Sequence, residues 1–485
     1  MKNYFLISIL LFTIAAKAQK VTINEINLKS LKLEGDFKLL GKSKEDYLFG
    51  TSTGTGAIFF GPPKQSPLKL LLLNKNFQTI QSTNLTTQLE DAPIENLAYE
   101  DVVFFNDQIY VILEQELKKE KTKKFYLYTL DNKTLKINFG SGILLGDVKT
   151  LFYMKRNVVD SRVLHSVSED GSKLGITLLS KGSFYAFEES NTMRASNMVF
   201  DKNLKTVCVS SFMDDEFKDD SKASNSTSIE SQQVMNDGNL YLLANYHKDR
   251  IKNYYGNFEL YNYRLYFVGK DCKSKIIDIK LPEEANVSSA LLNANNNNAI
   301  VTGFPSIFKK QNNEIFGYLK QTMHNQGNVL SLNVMPFDKF FIDNVKDGNG
   351  IFKNNDIIQY DNTVLTDDGS FFMISQISRK DIIVSYMNKN GKVIWVKNID
   401  RRFVSSAKVE AMFNETSKEL FLVYEDNIDG TGMYATKINI DGTMSESTEI
   451  IPDIRLFPSN KCKLKNEIVM TDLAKNKLII AVIKF

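Results

Sequence analysis

The chain reads as an all-β protein, a single β-propeller of eight four-stranded blades closed by its own two ends. Three observations predict it: one series of seven tight turns, a second series alternating with it, and an apolar strand at each end of the mature chain. Alternatives with the same turns are a seven-bladed ring carrying an extra N-terminal hairpin, and tandem β-sandwiches.

The first series turns at Asn74 to Phe77, Asp131 to Thr134, Asp201 to Leu204 and Gly269 to Cys272, then at Asn325 to Asn328, Asn388 to Gly391 and Asn439 to Gly442. These turns recur about 61 residues apart, and each joins two short runs of aliphatic, aromatic and β-branched residues. Asn, Asp and Gly recur because a two-residue hairpin turn demands positive φ. The second series passes near Asp46, Asp107, Asp170, Asp237, Asn296, Asp368, Thr416 and Asn466. Strict alternation of the two marks off four strands per unit. Packing such sheets around an axis buries both faces of each and leaves only short outer edges exposed.

The second series has eight members and the first only seven. The missing turn would fall beyond Phe485. The chain finishes on "KLIIAVIKF" (477 to 485), and "KVTINEINL" (20 to 28) opens the mature protein. Pairing of these two segments completes the last blade and closes the ring.

"MKNYFLISILLFTIAAKAQ" has a basic start at Lys2, an apolar run and small residues at Ala16 and Ala18, the pattern of a secretory signal cleaved before Gln19. The expected organisation is a signal peptide over 1–18 and one propeller domain over 19–485. With Gln19 rather than Cys after the cut, no lipid anchor is expected, and no later run is long enough to span a membrane. The predicted location is the periplasm or the extracellular space. Of 60 basic residues, Lys2 and Lys17 leave with the signal, so 58 remain against 57 acidic ones. This balance and export exclude a nucleic-acid partner. Cys208, Cys272 and Cys462 are too few for a disulfide framework; one bridge and one free thiol remain open. No pair has zinc-ligand spacing, so no metal and no cofactor is expected.

The hairpin "VSYMNKNGKVIWVKNI" (384 to 399), with Gly391-Lys392 and then Trp395, resembles one blade of the pyrroloquinoline-quinone-type repeats. Quinone enzymes of that type repeat the tryptophan in blade after blade, and many carry adjacent cysteines. This chain has one tryptophan and no such pair, which excludes that activity. Val396 after Trp395 excludes a Trp-Asp repeat. "SEDGSKLG" (168 to 175) approaches a sialidase-type Asp-box but occurs once. The whole is similar in kind to secreted bacterial propellers.

Both turn series fall on one rim of the ring. The longer connections, 50–67, 114–124, 180–197, 213–229, 245–262 and 333–360, fall on the other, where binding groups on a rigid ring are expected. "NYHKDRIKNYYGNFELYNYR" (245 to 264) supplies the candidate binding residues Tyr246, His247, Arg250, Tyr254 and Tyr255. Tyr and Arg offer large contact area with polar tips. Phe258, Tyr261 and Tyr263 are equally readable as part of the next strand. "KKEKTKK" (118 to 124) reads as a solvated loop, "DDEFKDDSKASNSTS" (214 to 228) as a mobile surface segment, and "GTSTGTG" (50 to 56) as a connection without the features of a phosphate loop. The aromatics of 333–352 are expected to pack over the ring.

Two functions suit this reading. One is a non-catalytic recognition or scaffold protein, monomeric, that binds an envelope or extracellular protein, peptide or glycan through the long-loop rim. The other is a polysaccharide hydrolase or lyase with carboxylates at the channel mouth. No catalytic residue is identifiable from the sequence.

Overall fold

The computed structural model describes residues 20–31, 33, 37–43, 46–51, 68–149, 152–153, 156–157, 159–182, 194–213, 228–253, 256–282, 285–295, 298–309, 312–337, 358–377, 381–399, 409–425, 432–452, 461–464, 467–474 and 477–484. They form eight antiparallel blades, seven of four strands and one with a fifth short strand, in a propeller ring, with one small separate pair, Phe152–Tyr153 and Arg156–Asn157, between blades two and three in the chain. Inner strands begin at Phe37, Leu97, Val159, Ser228, Ala285, Ile358, Glu410 and Lys461, opening blades one to eight.

Eight clusters of buried apolar side chains lie between the blades, one at each interface. Phe49 and Leu71 of blade one meet Val469 and Ile480 of blade eight, and Met412 and Met433 of blade seven meet Ile468 and Ala481 on its other side. Every blade buries both faces against neighbours, so no single large core is needed.

The ring closes as its sequence implies. Lys20–Asn27 pairs antiparallel with Lys477–Lys484, from Lys20 opposite Lys484 to Asn27 opposite Lys477. The N-terminal strand is thus the outermost strand of blade eight.

The turns need a correction. In five of the first series the fourth residue alone has positive φ among the turn residues, Phe77, Leu204, Cys272, Gly391 and Gly442, and in the turn at Asn325 to Asn328 it is the third, Gly327, because that loop starts one residue earlier at His324. The N–H of this positive-φ residue reaches back to the carbonyl three residues earlier, for example Gly391 to Asn388 at 2.8 Å. This is a three-residue loop ending in a left-handed bulge residue, not a two-residue turn. Where Asn74, Asp201 or Asn388 stands at the first position, its side chain caps the loop instead. Asn388 Oδ1 accepts from the N–H groups of Asn390 and Lys392, both at 3.0 Å. Asp201 repeats the pattern with Asn203 and Lys205 at 2.9 Å, and these bonds lower its carboxyl pKa. The true two-residue turn is Asn106-Asp107 in the second series, where both φ values are positive.

One short helix, Leu85–Glu90, interrupts the otherwise all-strand pattern; Asn84 caps it by accepting from Thr86 N–H at 3.0 Å. No helix among the described residues is long and apolar enough to cross a membrane. The proposed signal segment lies outside the described residues.

Candidate functional site

Strands that outgrow their blades shape the long-connection rim. The connection expected over 114–124 shrinks to four residues, because Gln108–Leu117 and Thr122–Leu130 pair to their ends. Lys123, expected in a solvated loop, instead bridges to Glu114 at 2.9 Å with both side chains largely buried. Of the expected connections 50–67, 180–197, 213–229 and 333–360, residues 52–67, 183–193, 214–227 and 338–357 lie outside the described residues. At the start of the last of these, Phe337 packs edge-on against Tyr318 with ring centroids 5.0 Å apart.

The segment 245–264 is likewise no loop. Leu240–Asn253 and Gly256–Val268 pair from Leu240 opposite Val268 to Asn253 opposite Gly256. The inner strand of blade four follows this hairpin only as far as Asn245, and the outer strand only as far as Arg264. Beyond them, 246–253 and 256–263 run on as a two-stranded ribbon that no other described strand flanks. Eight residues at about 3.3 Å each carry it about 25 Å. Aromatic residues recur along the second strand at Phe258, Tyr261 and Tyr263, and neither strand contains a proline or an internal glycine to end the pairing.

At its base, the Arg264 guanidinium lies 4.2 Å from the Tyr246 ring centroid. Arg264 is buried, and its Nε stands 3.5 Å from Asp278 Oδ1, an ion pair without hydrogen-bond geometry. Asn245 donates to Glu230 at 2.8 Å. Tyr263 turns into the core between blades four and five and hydrogen-bonds the Ala290 backbone; burial, then the charge of Glu230, pushes its hydroxyl up to about 12. Of the five candidate residues, Tyr246 is therefore at the root, and His247 and Arg250 lie along one strand with side chains outside the described set. Tyr254 and Tyr255, between the paired ends, lie outside the described residues altogether. Phe258 and Tyr261 belong to the following strand, the second of their two possible assignments.

A second feature has no sequence signature. Five inner strands carry a register shift, at Leu39/Gly41, Tyr99/Asp101, Ile229/Ser231, Val287/Ser289 and Tyr360/Asn362. Each inserts one residue into the strand nearest the axis, which re-aims side chains locally. In blade two the inserted residue is Glu100, and in blade four Glu230. Burial, then the charge of Glu114, raises the Glu100 carboxyl to about 7, against the opposing pull of Lys123 and a hydrogen bond from the Val163 backbone of blade three. Next to it, Asp101 Oδ2 lies 2.9 Å from His165 Nδ1 across the same blade interface. A carboxyl titrating near neutrality beside fixed carboxylates can exchange protons with a bound ligand. Among the described residues no group of three or more His, Cys, Asp or Glu is placed to hold a metal ion.

No family model and no curated protein matches the chain. Solved structures do. A prolyl endopeptidase is 7% identical with a TM-score of 0.43 over 90% of this chain, which spans about half (54%) of that protein. A polysaccharide lyase is 10% identical with a TM-score of 0.42, covering 83% of this chain and 96% of that one. The β-propeller domain of the Trilobed protease from Pyrococcus furiosus is 10% identical with a TM-score of 0.37, covering 87% and 98%. At such identities no function transfers from any of them.

Proposed function

We propose that the mature chain, 19–485, is an exported recognition or scaffold protein that binds an envelope or extracellular protein, peptide or glycan at its long-connection rim. The observation that carries this reading is the ribbon 246–263. A two-stranded ribbon running past its sheet is marginally stable alone, and its edges, flanked by no other described strand, and its aromatic residues are suited to pairing with a partner. Tyr254 and Tyr255, which follow Asn253 in the sequence, together with His247 and Arg250, are the proposed contacts. The test is capture from the native envelope fraction by immobilised protein, with Tyr254→Ala/Tyr255→Ala beside it. Loss of capture at an unchanged melting temperature supports the reading; equal capture removes the ribbon from it.

A second reading, a polysaccharide hydrolase or lyase, is favoured by Glu100. Its carboxyl, raised to about 7, would serve as the general acid or base, with Asp101 and His165 beside it. Depolymerisation of envelope polysaccharides by the wild type, abolished in Glu100→Gln, would establish it.

A further inference from the structure

Blade four presents a cysteine where the turn pattern places an inter-blade joint. In the joint between blades six and seven, Trp395 stands four residues after the bulge residue Gly391 and lies over Gly442, the bulge residue of the next blade's turn. A Cβ built on Gly442 would come 3.1 Å from Trp395 Cδ1 and Cγ. The same two positions at the joint of blades three and four hold Cys208, four residues after Leu204, and Cys272.

Cys208 is 2% exposed on the outermost strand of blade three, and Cys272 packs against the cluster that contains it. Both are free thiols, in hydrogen-bond contact with each other. The Gly269 carbonyl holds both ends of the contact: it accepts from Cys272 N–H at 2.8 Å and from Cys208 Sγ at 3.7 Å. A sulfur pair here replaces the indole-on-glycine contact of the other joint.

We infer that Cys208 and Cys272 form an inter-blade disulfide in an oxidising compartment, stapling blade three to blade four, while Cys462 of blade eight stays unpaired. The oxidant is a disulfide, either glutathione disulfide or the disulfide of a thiol oxidase. The Cys272 thiolate, on the turn and the more accessible, attacks it and expels one thiolate, leaving a mixed disulfide. The Cys208 thiolate then attacks the Cys272 sulfur and expels the second. One protein S–S bond forms, the oxidant's S–S bond breaks, and the two cysteine protons end on the two released thiols. Burial, then the neighbouring Cys272 thiol, pushes the Cys208 thiol up to about 12, so this second step is slow and quickens as pH rises. The bond closes a loop of about 65 residues, long enough to restrict the unfolded chain strongly.

The test equilibrates the full mature protein with glutathione disulfide, blocks remaining thiols in denaturant and maps the unreduced digest. The expected result is one cross-linked peptide pair holding Cys208 and Cys272, one alkylated site at Cys462, and a melting temperature several degrees above that of the reduced protein. Cys208→Ser and Cys272→Ser should each abolish that oxidative shift while melting like the reduced wild type. A bridge to Cys462, a stable mixed disulfide at Cys272, or three alkylated thiols after equilibration would overturn the inference.

Discussion

The Tyr47 hydroxyl donates to Glu467 across the seam between the first and last blades, 2.9 Å from one carboxylate oxygen and 3.1 Å from the other. Lys42 Nζ reaches the same carboxylate at 2.7 Å, and Thr471 donates to the Phe37 carbonyl at 2.8 Å. Glu467 is 5% exposed, so this carboxylate is desolvated and depends on its partners. The chain itself crosses this seam, from Lys20–Asn27 on the outside of blade eight to the inner strand of blade one at Phe37, so the latch works beside a covalent link, while the circle is closed non-covalently inside blade eight, where Lys20–Asn27 pairs with Lys477–Lys484.

Replacing Glu467 by Ala should cost about 2–4 kcal/mol, because it strands a phenol and an ammonium at a buried interface. Tyr47→Phe, which leaves the Lys42 pair intact, should cost about 1 kcal/mol. Both are read from chemical denaturation, and an unchanged midpoint in Glu467→Ala would show the seam to be held by apolar contacts alone. The latch also sets an alkaline limit. Burial lowers the Lys42 pKa, but its bond and charge interaction with Glu467 outweigh this and leave it raised, while burial raises Tyr47. Groups with raised folded values contribute stability that is fully present below about pH 10 and lost as pH climbs through those values.

Removing 477–485 takes out the strand that lies between Glu467–Ala474 and Lys20–Asn27. Leu478, Ile480 and Val482 leave the seam with it and Ile483 leaves the interface with blade seven, each fully buried and each worth about 1.5–3 kcal/mol. The truncated chain should lose its cooperative melt and elute as aggregate, because the outer strand of blade eight then has no partner. A monodisperse, normally melting truncation would contradict closure by the termini.

Ring and closure are legible in the sequence because their signals are local. A left-handed residue closes each of these turns, and in four of them, at Asn74, Asp131, Asp201 and Asn388, an Asx side chain at the first position also caps backbone N–H groups. Seven copies therefore reveal the period, even though Asn, Asp and Gly suit two-residue and three-residue loops alike. The ribbon is half legible: its tyrosines stand out, but strand and loop share a composition when a hairpin outgrows its blade. Glu100 is not legible at all. Its surroundings come from a bulge in the inner strand, from Glu114 on the next strand and from Val163 on another blade, and no spacing in the chain connects these three.

Glu100→Gln should stabilise the protein at pH 8 and leave it unchanged near pH 4. The folded carboxyl titrates at about 7 against a usual 4.5, so its contribution is fully present below 4.5 and lost as pH rises through 7. The penalty at pH 8 is on the order of 3 kcal/mol before relaxation. Melting temperatures across pH 4 to 9 check this, and a lower value for the variant at pH 8 would show that the charge is needed at the Val163 backbone.

Lys320 carries the opposite sign. It is 3% exposed and donates to the carbonyls of Gly369 at 3.0 Å and Lys389 at 3.1 Å, the two turns that blade six sets against blade five. Burial lowers it to about 8, against the opposing charge of Asp368. The unfolded chain therefore holds the extra proton between pH 8 and its usual 10.5, and stability should rise with pH from 8 towards 10. Lys320→Met should remove that rise while losing the two turn contacts. An identical pH slope in the variant would assign the rise to other groups.

Trp395 and Gly442 should behave as a coupled pair. Trp395 Nε1 donates to the Ile440 carbonyl at 2.8 Å, which fixes the indole over the turn, and Gly442 has a φ of +87°. Gly442→Ala faces two costs: a left-handed conformation that disfavours any Cβ by about 1–2 kcal/mol, and a methyl group against the indole face. Trp395→Phe loses the Ile440 bond, about 1 kcal/mol, but vacates the space that this methyl would enter. The double variant should accordingly be less destabilised than the sum of the singles, with a coupling of about 0.5–3 kcal/mol. Strict additivity in a denaturation cycle would mean that backbone strain alone accounts for the glycine, and that the indole is not what holds this joint.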